Sequence, residues 1–368
     1  MPVKISLTVL SIMVLMLLSE ALSDADQPVS SVQPASPVPE VAERANEHAA
    51  VPGANTTLEA ALIAVCDGTD DLPTDLDDPS AWQEQANYAA SVLGASTDPR
   101  HKLVAALLSR NTDAFGDRLQ AALALGADDP LVLWYAFSNC SGDPVDCNAS
   151  NLERRITTVD AQNSEVWIRV AVNRYARGDD DAALDAVRRA AAAGESRIYW
   201  PETMEAAYRA LNAAGGFDAT NSAILAHGLA ASDFPRYQEI TKMCRDQSAV
   251  SYDWALACLD YGRTSQKQSR ADLAVLVGYF VQESALEALR DDRELARVKQ
   301  QREAFRSAPL RATTETEIRI VDSFVMTEPG LFAYLDLLKA GTERSARLAV
   351  GDEIKRLQAA NRALDCIL

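Results

Sequence analysis

Trp134, Trp167 and Trp200 recur at a step of 33 residues, and Tyr175 and Tyr208 repeat that step. A period of this size holds one helical hairpin and is too short for a unit that buries its own apolar face. Such units fold by stacking on their neighbours, so the comb predicts an all-α, solenoid-like chain. Composition agrees: 48% of the residues are apolar and 24% charged, enough for a packed core. Abundant Ala, with few Gly and few β-branched runs, favours helix over strand.

The first residues carry an address. Lys4 gives a short positive region, and Ile5 to Leu18 is almost wholly apolar. That run falls short of the roughly 20 residues of a membrane span. Ala21-Leu22-Ser23 offers a cleavage site, with Ser23-Asp24-Ala25 as the alternative. Residues 1–23 therefore read as a signal peptide, with an uncleaved N-terminal anchor as the other reading. No Cys follows the apolar run, so lipid attachment is not expected. Residues 24–56 hold Pro28, Pro34, Pro37, Pro39 and Pro52 among Ser, Val and Ala, the composition of a flexible linker. The mature chain is expected to be periplasmic or secreted, with no membrane span after cleavage. The Ala-, Asp- and Arg-rich composition points to a bacterial host. A formal charge of −18 repels phosphate backbones and anionic lipid heads, so nucleic acid is disfavoured as a partner.

The six cysteines, Cys66, Cys140, Cys147, Cys244, Cys258 and Cys366, form an even set, which in an exported chain reads as disulfides. Cys140 and Cys147 flank a turn, Ser141-Gly142-Asp143-Pro144, and are expected to pair. Cys244 and Cys258 are expected to pair across a hairpin. A turn at Asp246 to Ser248 would leave Cys258 two helical turns too far from it, so this bridge requires a late-starting second helix. Cys66 and Cys366 then pair by elimination. No CxxC spacing exists to favour a thiol metal site.

From Thr57 onward nearly every segment reads as helix. Asp78-Pro79, Asp98-Pro99 and Asp129-Pro130 are helix starts. The clearest unit runs from Asn163 to Gly194. Ser164 is the expected N-cap, and Trp167, Val170, Ala171 and Tyr175 follow at helical spacing. Gly178 breaks the helix, Asp179-Asp180-Asp181 caps the next, and Ala183, Ala186, Val187 and Ala190 form a small-residue stripe for close packing. This unit resembles a tetratricopeptide repeat, whose pattern begins W-x2-L-G-x2-Y and continues A-x3-F. Trp167, Val170 and Ala171 occupy the first three named places and Ala183 matches the Ala. Arg174 stands where Tyr is usual, Val187 replaces Phe, and no Pro closes the unit. The resemblance implies a right-handed solenoid of helical hairpins over residues 57–264.

Residues 265–368 continue as helices without a clear step, and a shallow boundary falls near Arg263 to Gln268. Helices are expected near 219–231, 235–246, 250–262, 270–290, 291–307, 315–326, 329–340 and 342–366. The last is amphipathic through Val350, Ile354, Leu357 and Leu364 and reads as a C-terminal capping helix rather than a dimerisation helix. A monomer is expected.

Catalytic signatures do not emerge. His48, His101 and His227 are far apart and lie in no H-E-x-x-H frame. No nucleophile elbow, phosphate loop or dinucleotide fingerprint occurs, and no cofactor is expected. Asp67, Asp70, Asp71 and Asp75 form an oxygen-rich cluster that a Ca²⁺ ion would suit. The spacing is not an EF-hand's, and a solvated acidic loop is the favoured reading. Asn55 and Asn148 stand in glycosylation sequons. If the resemblance holds, the inner helices line a groove for a protein or peptide, with Tyr135, Asn139, Glu165, Ile168, Val172 and Tyr175 facing it. Packing of Ile168, Val172 and Tyr175 against the neighbouring hairpin is the competing reading. The expected function is an exported, non-catalytic protein- or peptide-interaction module of the bacterial cell envelope. The alternative is a carboxylate-dependent, cell-wall-active hydrolase on a helical scaffold.

Overall fold

The structure, a computed structural model, describes residues 58–63, 79–140, 148–232, 237–307 and 324–360. These all fall in one compact unit, Thr56–Leu368. Among the described residues the regular structure is helical, and isolated bridges join Asn163 to Glu195 and Ser196 to Ser269.

The stack begins with α1 (Pro79–Gly94), α2 (Pro99–Leu108), α3 (Ala114–Leu125), α4 (Pro130–Asn139) and α5 (Ala149–Val159). The Asp-Pro starts work as the sequence implies. Asp98 accepts from the amides of Arg100 and His101, and Asp129 from those of Leu131 and Val132. Each aspartate satisfies amides that have no partner inside the helix, while the proline behind it has none to offer. α1 packs on α2, α2 on α3, and α4 on α5, so adjacent antiparallel pairs build the layer.

α6 (Ser164–Ala176) and α7 (Asp180–Ala192) form the hairpin of the clearest repeat. The N-cap is Asn163 rather than Ser164, because its side chain accepts the Glu165 amide. Gly178 takes a left-handed φ of 76° at the turn, where a side chain would be strained, and Asp179 accepts the Ala182 amide to start α7. Ala183, Ala186, Val187 and Ala190 are fully buried, so the small-residue stripe is the face that meets α6 and its neighbours.

Beyond α7 the chain changes course. α8 (Trp200–Ala214) and α9 (Ala219–Ala231) follow, then α10 (Tyr237–Ser248), α11 (Tyr252–Gln268), α12 (Asp272–Leu289), α13 (Asp292–Ser307), α14 (Glu328–Ala340) and α15 (Glu343–Ala359). The helix that continues the layer on α7 is α11, not α8. α8 instead crosses back to α1 and α2 and also meets α14. Its start is fixed by Tyr199, at a left-handed φ of 60°, and by Pro201 in its first turn. α11 runs unbroken through residues 263–268 and lies along α12. Gly262 and Gly278 face each other there, and a Cβ on either would come within 2.7 Å of the other's carbonyl oxygen. α15 packs on α14, and its Arg356 pairs with Glu59 at 2.8 Å, joining the last described helix to the segment 58–63. One continuous apolar core runs from Leu58 to Leu357.

Cys244 and Cys258 are bonded, with Cα atoms 5.8 Å apart. α10 extends to Ser248 and α11 starts only at Tyr252, capped by Ser251, so the late start that the bridge required is present. Cys140 is also disulfide-bonded, to a cysteine outside the described residues. Cys66, Cys147 and Cys366, most of the expected helix 315–326, residues 361–366, and both the signal and linker segments lie outside the described residues.

Candidate functional site

The six residues expected along a groove are drawn into the molecule's own packing. Tyr135 is buried on α4, and its hydroxyl donates to Thr203 Oγ1 of α8 at 3.1 Å. Asn139, half-buried, donates to the Tyr135 carbonyl at 2.9 Å and accepts from Arg110 at 3.3 Å. Glu165 and Ile168 are fully buried, and Val172 and Tyr175 are half-buried against the core. The reason is the return of α8 across α2 and α4, together with the packing of α10 and α11 on α6. The face that an open stack would offer to a ligand is covered by helices of the same chain.

Glu165 is the most perturbed carboxylate there. It is 0% exposed. Its Oε1 accepts from Ser196 Oγ at 2.9 Å, while its Oε2 is buried with no hydrogen-bond partner. Burial lifts its pKa from 4.5 to about 7, against the lowering effects of the Ser196 bond and the Arg169 charge. Its field adds to burial in raising the hydroxyls of Tyr237 on α10 and Tyr261 on α11, so the three groups converge where α6, α10 and α11 meet. A value near neutrality is what a general acid needs, but an enclosed carboxylate reaches no substrate.

A second polar knot fixes the α7–α8 connection. Asp160 accepts from the Tyr199 hydroxyl, from Arg197 at 2.9 Å and from Asn163 at 2.8 Å. Asn163 also binds both main-chain polar groups of Arg197. A buried carboxylate is tolerated when its lone pairs are filled in this way. The Tyr199 ring stands 5.4 Å from that of Trp134, and the Arg169 guanidinium lies 4.7 Å from the centroid of the same indole. Sequence reasoning missed this knot. Its only linear trace is the pairing of Asp160 with Asn163 one turn before a helix.

Both described histidines are engaged by near neighbours on the chain. His101 meets Ser96 Oγ at 3.2 Å, and His227 meets the Ala223 carbonyl at 2.9 Å with its pKa lowered by burial. Among the described residues no group of His, Cys, Asp or Glu is placed to hold a metal ion. Asp67, Asp70, Asp71 and Asp75 lie outside them. Asn148 is exposed and serves as the N-cap of α5, its side chain accepting from the Asn151 amide. No described helix is long and apolar enough to cross a membrane.

Large apolar side chains are exposed at Tyr88 and Val92 on α1, at Leu125 and Val159, and most of all at the tip between α10 and α11. Val250 is 79% exposed and Tyr252 70%, and Leu256 follows one turn along α11. The Cys244–Cys258 bond joins the two helices that flank this turn, and Arg188–Asp253 at 3.2 Å links the tip to α7. Large apolar side chains held out on a fixed hairpin are the surface feature that partner binding accounts for best. Comparison with known proteins adds no constraint, since no family model, curated protein or solved structure matches the chain at a significant level.

Proposed function

We propose that the chain is an exported, non-catalytic interaction protein of the cell envelope, built as a tetratricopeptide-like stack of helical hairpins. Partner contact is made at the α10–α11 tip rather than in an open groove. The observation that carries this reading is the exposure of Val250 and Tyr252 on a disulfide-anchored hairpin. The export element rests on the N-terminal signal pattern and on cysteine pairing, which an oxidising compartment maintains. The tetratricopeptide element rests on Trp167, Val170, Ala171 and Ala183.

The test is crosslinking of the chain in its host's envelope, with the captured species identified by mass spectrometry. The control carries Val250→Ser, Tyr252→Ser and Leu256→Ser, exposed substitutions expected to leave stability nearly unchanged. One dominant protein captured by the wild type and lost by the control is the expected result. Equal capture by both, or no capture, overturns the proposed contact.

A further inference from the structure

The elements around Glu165 hold their places unequally. Its Oε1 is fixed by Ser196 Oγ at 2.9 Å, while Oε2 is buried and has no hydrogen-bond partner. The charged and titratable groups that face this carboxyl are Arg169 on α6, Tyr237 on α10 and Tyr261 on α11, with Glu343 of α15 acting in turn on Tyr237. Neither tyrosine hydroxyl donates to the carboxyl. An ionised carboxylate closed off with one oxygen unmatched is strongly disfavoured until water or a donor reaches it. Water reaches it only if one of the surrounding elements yields.

Two of these elements are clamped. α11 lies between α7 and α12, and its backbone meets that of α12 at Gly262 and Gly278. The α7–α8 connection is tied through Arg197 to Asn163 and Asp160. α10 is held differently. Tyr237 is its first residue, and its buried face is Tyr237, Ile240, Met243, Cys244 and Ser248. Gln238, Lys242 and Arg245 on its other side are exposed. Its covalent tie to α11 is at Cys244, about two turns beyond Tyr237. The half of α10 before that bond is therefore a short lever, fixed at one end and resting on α6 through side chains at the other.

We propose that α10 is a pH-sensitive flap: when Glu165 loses its proton, the Tyr237–Met243 half of the helix lifts from α6 about the Cys244–Cys258 bond and admits water to the carboxylate, while the rest of the stack stays folded. Opening returns Glu165 from its enclosed pKa of about 7 toward the ordinary 4.5, so it releases a proton between those values and is favoured as pH rises. It also uncovers Ile240 and Met243, an apolar face that the closed helix hides.

The test is hydrogen exchange of the purified, disulfide-bonded chain, read by mass spectrometry at pH 5 and pH 8 and corrected for the intrinsic exchange rate. The opening equilibrium of α10 should rise about 70-fold between the two, the ratio set by the enclosed and open pKa values. Amides of α4 and α12 should stay better protected than those of α10 at pH 8. In Glu165→Gln, shown to fold by helical circular dichroism, the pH response of α10 should vanish. Unchanged protection of α10 in the wild type, or an equal response in the variant, overturns the proposal. So does loss of α10 protection only in step with α4 and α12, which marks unfolding of the whole chain. That wild-type comparison decides the matter even where the variant is unstable. No partner is needed for the readout, so it stands apart from the capture experiment.

Discussion

Glu165 carries a penalty that pH controls. Its carboxyl is enclosed, and burial raises its pKa from 4.5 to about 7. Between those values the folded chain keeps a proton that the unfolded chain releases. The stability associated with this group is therefore fully present below pH 4.5 and is lost as pH rises to about 7. The shift corresponds to a loss of about 3 kcal/mol. Arg169 on the same helix, Ser196 on the α7–α8 connection, Tyr237 on α10 and Tyr261 on α11 are the groups that face it. Urea unfolding at pH 5 and pH 8 should show this loss in the wild type and a much smaller one in Glu165→Gln. An unchanged pH dependence in the variant would assign the titration elsewhere. Tyr135 makes a related point about interior residues. Because it is buried and bonded to Thr203, Tyr135→Phe should cost about 1 kcal/mol and Tyr135→Ala about 3–5 kcal/mol in urea unfolding. A cost below about 1 kcal/mol for the alanine would mean that the α4–α8 contact is open in solution.

At the scale of the element, the crossing of α11 and α12 depends on two absent side chains. Gly262 and Gly278 let the backbones approach, and a methyl group at Gly262 would meet Gly278 O and Gln282 Cγ, each at 2.7 Å. One obstacle is backbone and cannot rotate away, so Gly262→Ala should destabilise the chain by about 1–3 kcal/mol despite the better helix propensity of Ala. Gly228, on α9, has nothing near its Cβ position, and Gly228→Ala should be neutral or mildly stabilising. Thermal melts of the pair separate packing from propensity. Equal shifts would show that the close crossing is not maintained. The α10–α11 hairpin is anchored differently, by the Cys244–Cys258 bond, which closes a short loop and restricts the unfolded chain.

At the scale of the molecule, the return of α8 distinguishes this chain from an open repeat array. In an open array each hairpin meets only its neighbours, and unfolding can proceed piecemeal. Here α8 joins α1 and α2 to α14, and Arg356 joins α15 to Glu59. Early and late hairpins therefore share contacts. Unfolding in urea should be one transition, with tryptophan fluorescence and helical circular dichroism giving coincident midpoints. Separated midpoints would place the α8 contacts outside the cooperative unit. The same closure buries Tyr135, Glu165 and Ile168 and leaves Val250 and Tyr252 exposed at the α10–α11 tip.

The features legible in the sequence are those carried by interactions within one hairpin. The tryptophan comb announced helical hairpins, though not the departure of α8 at Trp200, while Asp98 and Asp129 announced the helix starts and Ala183 to Ala190 a close-packed face. The spacing of Cys244 and Cys258 even required the late start of α11 at Tyr252. Each depends on backbone geometry over a few turns, which local residue types specify. The fate of Tyr135, Glu165 and Ile168 was not legible, because an apolar helical stripe states that a face is covered and not which element covers it. Tyr135 meets Thr203, 68 residues away, and Arg356 meets Glu59 across 297. Local residue types specify the helical hairpins. That α8 turns back over them follows from the summed burial of several distant faces, which no single pattern along the chain records.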